Sequence, residues 1–120
     1  MALSKSQLEI LDEAKRVVIE TRSGDRVVST IIWVVVDEGD VFVRSVRGDG
    51  GKWYQRVLAD PEVALRVGDD RFPFRAVPAG DPESVERVSE ALRRKYSPGG
   101  SLDSMLLPEV LGTTLRLDPV

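Results

Sequence analysis

The sequence predicts a mainly β, α+β fold: about six strands in a small antiparallel barrel with helices packed outside it. Three observations carry this. Apolar, β-branched runs recur as "RVVIET", "RVVSTIIWVVV", "VFVRSV", "EVALRVG", "RFPFRAVPAG" and "TTLRLDPV". Short turn signals, "RSGD", "DEGD" and "GDD", separate several of them and make those neighbours hairpin partners. Only one long, well-capped helical pattern is present, beginning at Asp81.

In chain order, Ser6 with Glu9 three residues on reads as a capping box, and Leu8, Leu11 and Ala14 follow at helical spacing. The first strand ends at "RSGD", which turns the chain back into the second, from Val27 to Val36. That second strand is apolar on both alternating sets, so one face fills a barrel while the other meets a helix or a second subunit. "DEGD" leads into the third strand, and "RSVRGDGG" follows it. Trp53 with Val57, and Tyr54 with Leu58, then sit four apart in a two-turn helix that stops at "ADP". Two more strands flank "GDD", with Pro73 marking an edge or a bulge. Asp81 at the N-cap and Pro82 after it open the clearest helix, with Val85, Val88, Ala91, Leu92 and Tyr96 on one stripe. Arg93, Arg94 and Lys95 suit its negative C-terminal end. "SLDSMLLPEVLG" shows no regular pattern, and "TTLRLDPV" is the last strand. Residues 1–120 read as a single domain, without a repeat or a long linker.

Composition excludes several functions. With 17 Lys and Arg against 20 Asp and Glu, the net charge of -3 argues against nucleic-acid binding. There is no Cys and no His, so thiolate chemistry, Cys-based metal sites and the usual proton shuttle near neutral pH are absent. Chemistry must come from the remaining polar groups or from a cofactor. The start "MALSKSQLEILDEAKR" lacks the apolar centre of a signal peptide, and Val27–Val36 is too short to span a bilayer as a helix, so a cytoplasmic address and no membrane span are expected. The acids of "GDD" and "DEGD" have turn composition, and no metal site is read into them.

The loop "RSVRGDGGKWY" holds Arg44, Arg47 and Lys52 around Gly48, Gly50 and Gly51, between a strand and a helix. It reads either as a plain connection or as a phosphate cradle, where cations meet the free N–H groups of a helix start. Its spacing is neither the Walker pattern nor the dinucleotide fingerprint. Trp53 reads as core, while the Tyr54 hydroxyl could serve a substrate as a proton donor. Arg26, Ser29 and Thr30 are polar positions in an apolar strand, satisfied by backbone or by a ligand phosphate.

The order Thr21-x-Ser23-Gly24-x-Arg26, an apolar strand with Trp33, Ser45-x-Arg47-Gly48, then Trp53-Tyr54 with Ala59-Asp60-Pro61, resembles the split β-barrel flavin-binding superfamily. That superfamily is pyridoxamine-phosphate-oxidase-like, and the chain is similar in particular to its deazaflavin-dependent nitroreductase branch. "TIIWVVVDEGDVFVRSVRGDGGKWYQ", "RRKYSP" and "TTLRLDPV" resemble still more closely the family known as domain of unknown function 2255. The resemblance implies an FMN-binding type of split barrel: a homodimer with cofactor sites at its interface, binding FMN or the deazaflavin F-420 and passing hydride to a small planar molecule. Carried over by motif, Arg47 is the basic loop residue, and Ser45 and Gly48 shape the turn. Lys52, Trp53 and Tyr54 begin the next helix, with Tyr54 as the catalytic candidate. Arg26, Ser29 and Thr30 face them, and Ile31, Ile32 and Trp33 back the cofactor ring. Three positions depart from the branch: Val46 stands for its loop Lys, Lys52 for Pro and Arg56 for Asn. A non-catalytic, ligand-binding or structural dimer is the competing expectation.

Overall fold

The chain enters its first helix through Ser4, two residues earlier than expected. In the computed structural model, which describes residues 2–120, α1 spans Lys5–Glu13. Ser4 Oγ accepts from the Gln7 N–H at 3.2 Å, and the Gln7 side chain accepts from the Ser4 N–H at 2.8 Å. Ser6 and Glu9 offered the same pattern, but only the Ser4 register places Leu3 before the cap and Leu8 one turn on, and both pack on the core. Leu11 is fully buried on that face.

Seven strands follow where six were expected: β1 (Val17–Ser23), β2 (Arg26–Ile32), β3 (Val35–Asp37), β4 (Asp40–Val43), β5 (Glu62–Val67), β6 (Asp70–Pro78) and β7 (Leu115–Pro119). The extra one arises because the long second strand breaks at Trp33 and Val34. All pairs are antiparallel, in the order β2-β1-β5-β6-β7-β4-β3. This order requires a barrel. Laid flat, six inter-strand gaps separate β2 from β3 by about 29 Å. The chain nevertheless passes from Ile32 to Val35 in three residue steps, a reach of at most about 11 Å. The sheet therefore rolls up until its two edges nearly meet at Trp33. The β3–β4 turn is tight enough to hold Glu38 at φ 50° ahead of Gly39 at φ 83°.

Two apolar clusters result. Ile19, Leu65, Phe72, Phe74 and Leu117 fill the barrel, closed by α1 and by α2 (Lys52–Ala59). Val35 and Phe42 point the other way, beneath α3 (Pro82–Lys95) with Val88, Leu92 and Tyr96. The apolar run therefore has two covered faces only in its β3 half. In β2 the outer face is open, with Val27 62% and Ile31 68% exposed.

Two expectations need correction. "SLDSMLLPEVLG" folds as two short helices, α4 (Gly100–Met105) and α5 (Pro108–Leu111), whose Leu102, Met105 and Val110 complete the second cluster. The two-turn α2 stops at "ADP" as expected, burying Trp53, Tyr54 and Val57 and leaving Leu58 on its solvent side. Pro73 is neither at an edge nor in a bulge: it pairs with Ala64 inside the sheet. Its carbonyl accepts from the Val120 N–H at 3.5 Å, so its donor-less nitrogen faces the end of β7, past the last residue of that strand. Among the described residues, no helix is long and apolar enough to cross a membrane.

Candidate functional site

β4 delivers the chain into the glycine loop, and hydrogen bonds fix that loop from within. The Ser45 N–H donates to Thr113 Oγ1 at 3.0 Å, and Ser45 Oγ donates to the Gly48 carbonyl at 2.9 Å. The Gly48 N–H returns to the Ser45 carbonyl at 2.9 Å, and a single 3-10 turn over Gly48–Gly50 leads into α2. Two of the three glycines are required by this packing. Gly48 has φ 66°, and a Cβ there would press on the Glu109 carbonyl at 3.1 Å, while a Cβ at Gly51 would overlap Ser45 Oγ. Gly50 has nothing within 4 Å of where a Cβ would stand, and it borders open space.

That space is a half-open cleft of about 800 Å³ between β2, the loop, α2 and α4. β2 and its exit contribute Val28, Thr30, Ile31, Ile32 and Trp33, and the loop contributes Val46, Arg47, Gly50 and Gly51. α2 contributes Lys52, Trp53 and Arg56, with Arg44, Ser101 and Met105 completing the wall. Four of these residues are cationic and none is acidic, in a chain whose net charge is -3. No carboxylate lies in salt-bridge distance of Arg44, Arg47, Lys52 or Arg56 among the described residues, whereas Arg66, Arg71, Arg87, Arg93, Arg94 and Arg116 are all paired. The cleft is thus an unneutralised positive field with low-dielectric walls, which suits phosphate or carboxylate.

Arg44 is the most constrained of the four. It is 2% exposed, and it donates to Thr114 Oγ1 at 2.9 Å, Ser89 Oγ at 3.2 Å, the Met105 carbonyl at 3.1 Å and the Val85 carbonyl at 3.1 Å. Burial, with a smaller effect from Arg93, pulls its guanidinium down to about 10. Trp33, at the break between β2 and β3, stacks on Tyr96 with ring centroids 3.8 Å apart and planes 3° from parallel. What it offers the cleft is therefore its opposite face and edge. The break itself is held from α3: the Tyr96 hydroxyl accepts from the Val34 N–H at 3.3 Å and donates to the Lys15 carbonyl at 2.6 Å, and Lys95 Nζ donates to the Val34 carbonyl at 2.7 Å.

The structure gathers Thr30, Ile31, Ile32, Trp33, Arg47, Lys52 and Trp53 at one cleft. Ser45 and Gly48 lie beneath the loop, buried and shaping it. Arg26 is exposed at the mouth of the β1–β2 hairpin, and Ser29 is exposed on the outer face opposite Glu20; neither borders the cleft. Tyr54 is also outside the lining, buried edge-on to Trp53 with centroids 6.3 Å apart. Burial, then the charge of Asp49, raises its hydroxyl above the usual tyrosine value. Arg56 was legible as a cleft residue, since it lies one turn beyond Lys52 on the same helix face. Ser101 and Met105 arrive from a segment without pattern, and no sequence signal marks them.

The family described as "Uncharacterized protein conserved in bacteria (DUF2255)" matches residues 7–117. Among curated proteins, none matches the chain significantly. Several solved structures share the fold. A Listeria innocua protein named as a candidate pyridoxamine 5'-phosphate oxidase is 19% identical, with 95% of this chain and 90% of that one covered and a TM-score of 0.69. The heme storage protein HutZ from Vibrio cholerae is 16% identical, with 100% and 92% covered and a TM-score of 0.68. An FAD-binding protein from Mesorhizobium loti is 13% identical, with 98% and 91% covered and a TM-score of 0.62. The fold is accordingly the pyridoxamine-phosphate-oxidase-like split barrel.

Proposed function

The chain belongs to the DUF2255 family, and from that premise we propose that it binds a flavin-class cofactor by its phosphate in this cleft and passes hydride to a small planar acceptor. The observation that carries the reading is the cleft lining itself, with four cations, no acid and an aromatic wall. These residues fit the group: Arg47 and Lys52 at the loop and the start of α2 supply charge-assisted donors for a phosphate. Gly50 lets a ligand approach the backbone, and Trp33, backed by Tyr96, presents a fixed flat surface to a ring. When bound, the cofactor supplies the hydride chemistry that a chain without His or Cys lacks. The chain's own part is to anchor the phosphate, hold the ring against Ile32 and Trp33, and exclude water with the apolar walls. In this reading Tyr54, packed edge-on against Trp53 outside the cleft lining, supports the wall.

A non-catalytic binding role is the second reading. It is favoured by the lining, which holds no Asp, Glu or Tyr to move a proton. The open outer face of β2, with Val27 and Ile31 exposed, supports a homodimer in which a second copy covers it. Light scattering should then give twice 13.3 kDa, and Ile31→Glu should give the monomer.

The deciding experiment is a fluorescence titration of the purified protein with FMN and with F-420, preceded by an absorbance spectrum from the near ultraviolet to the blue. Saturable binding of either supports the reading, and turnover of a nitroaromatic or quinone by the loaded protein separates catalysis from storage. Failure of both to bind, with the protein folded, would overturn it.

A further inference from the structure

We propose that Arg56 heads a second anion subsite in the cleft, taking a carboxylate or phosphate distinct from the phosphate assigned above to Arg47; the word "second" rests on that assignment. Arg56 is partly buried on α2, and its Nε donates to Thr21 Oγ1 at 2.8 Å. Thr21 is 0% exposed, and its hydroxyl donates onward to the Val28 carbonyl at 3.4 Å. The hydroxyl thus accepts one bond and donates one, so the guanidinium is held by a completed relay. Only Nε is used in this relay. Both Nη groups have no hydrogen-bond partner among the described residues, which leaves free the edge that binds carboxylate or phosphate in a bidentate fork.

Charge balance points the same way. A phosphomonoester carries about -1.5 to -2 at neutral pH, against four cations in the lining. Roughly two positive charges remain, in a cleft whose lining supplies no carboxylate to balance them. Arg44 spends its donors on Thr114, Ser89, Met105 and Val85, so it is not the group that meets the surplus. Arg56, one turn beyond Lys52 on α2 and tied through Thr21 to the Val28 end of β2, keeps its Nη edge for it. The second anion is either a further group on the same ligand or the acidic group of a co-bound acceptor.

The test uses the full chain and its Arg56→Gln, Arg56→Lys and Arg47→Gln variants, each first shown to melt cooperatively. Inorganic phosphate is titrated into FMN-saturated protein by calorimetry. Arg56→Gln should weaken phosphate about tenfold or more while leaving FMN affinity within about threefold, because one charge-assisted contact is lost. Arg56→Lys should recover part of the loss, and Arg47→Gln should show the reverse pattern. The source follows from comparing FAD with FMN. Tighter FAD binding that excludes phosphate and vanishes in Arg56→Gln places both anions on one ligand, and phosphate binding on top of FMN places the second on a co-bound molecule. If no flavin binds, the function proposed above fails while the subsite remains testable, since pyrophosphate should still raise the melting temperature of the protein alone in an Arg56-dependent way. Equal affinities for phosphate, pyrophosphate and FMN in wild type and a folded Arg56→Gln would overturn the subsite.

Discussion

Replacing Gly51 by Ala tests whether the loop is built by packing. A methyl group there would overlap Ser45 Oγ, which is fully buried and donates to the Gly48 carbonyl at 2.9 Å. The backbone does not object, since Gly51 has φ -61° and ψ 127°, open to any residue. The cost therefore comes from displacing the hydroxyl. Losing its hydrogen bond and crowding its pocket should destabilise by about 2 to 3 kcal/mol, offset by about 0.5 kcal/mol from the stiffer unfolded chain. Ser45→Ala alone should cost only about 1 kcal/mol, because the Gly48 carbonyl still accepts from the Gly51 N–H at 3.1 Å. In the double variant the overlap is gone, since the Ser45 Cβ is 3.6 Å from the new methyl. Gly51→Ala should then be neutral or slightly stabilising, giving a coupling of about 2 kcal/mol by urea unfolding. Single effects that add to within about 0.5 kcal/mol would refute the argument.

Three further outcomes are expected. Arg47→Ala should weaken FMN binding by roughly 1.5 to 3 kcal/mol in the fluorescence titration, with the melting temperature unchanged because the side chain is exposed. Arg44→Ala should lower stability by about 3 kcal/mol or more, since it strips donors from Thr114, Ser89, Met105 and Val85 inside the second cluster, and thermal unfolding measures this. Lys95 is pulled down to about 8 by burial, with Lys15 adding to the effect and Asp12 opposing it. Between pH 8 and 10 the unfolded chain then holds a proton there that the folded chain has lost, so this group makes stability rise with pH. Lys95→Met should flatten the slope of unfolding free energy over pH 7 to 9.5, below the range where Tyr96, pushed up to about 12, works in the opposite direction.

Much of this molecule was legible locally. The three turn signals, the Asp81 cap and every strand run but the second, which breaks at Trp33 and Val34, appear in the fold as read, because each depends on residues within a few positions of one another. The cationic loop was legible as a composition, although its glycines could not be sorted. Gly48 and Gly51 answer to Glu109 and Ser45, and only Gly50 is free to serve a ligand. Ser4 and Ser6 both begin a valid capping pattern, and contact of Leu3 and Leu8 with the core decides for Ser4.

The rest depended on what came from far along the chain. Val27 and Val35 are equally apolar and lie in one run, yet α3 covers one while the other faces solvent. Arg44 and Arg47 are three apart in the same loop. The first is sealed under α3 and α4 without a counter-ion, while the second is exposed at the cleft. The sequence alone determined which segments extend, which turn and where the cations cluster, since backbone preference and periodicity are set by near neighbours. Tertiary structure alone decided which face is covered, which cations remain unpaired and which ring stands behind Trp33, because burial and the local field depend on elements up to 70 residues away along the chain.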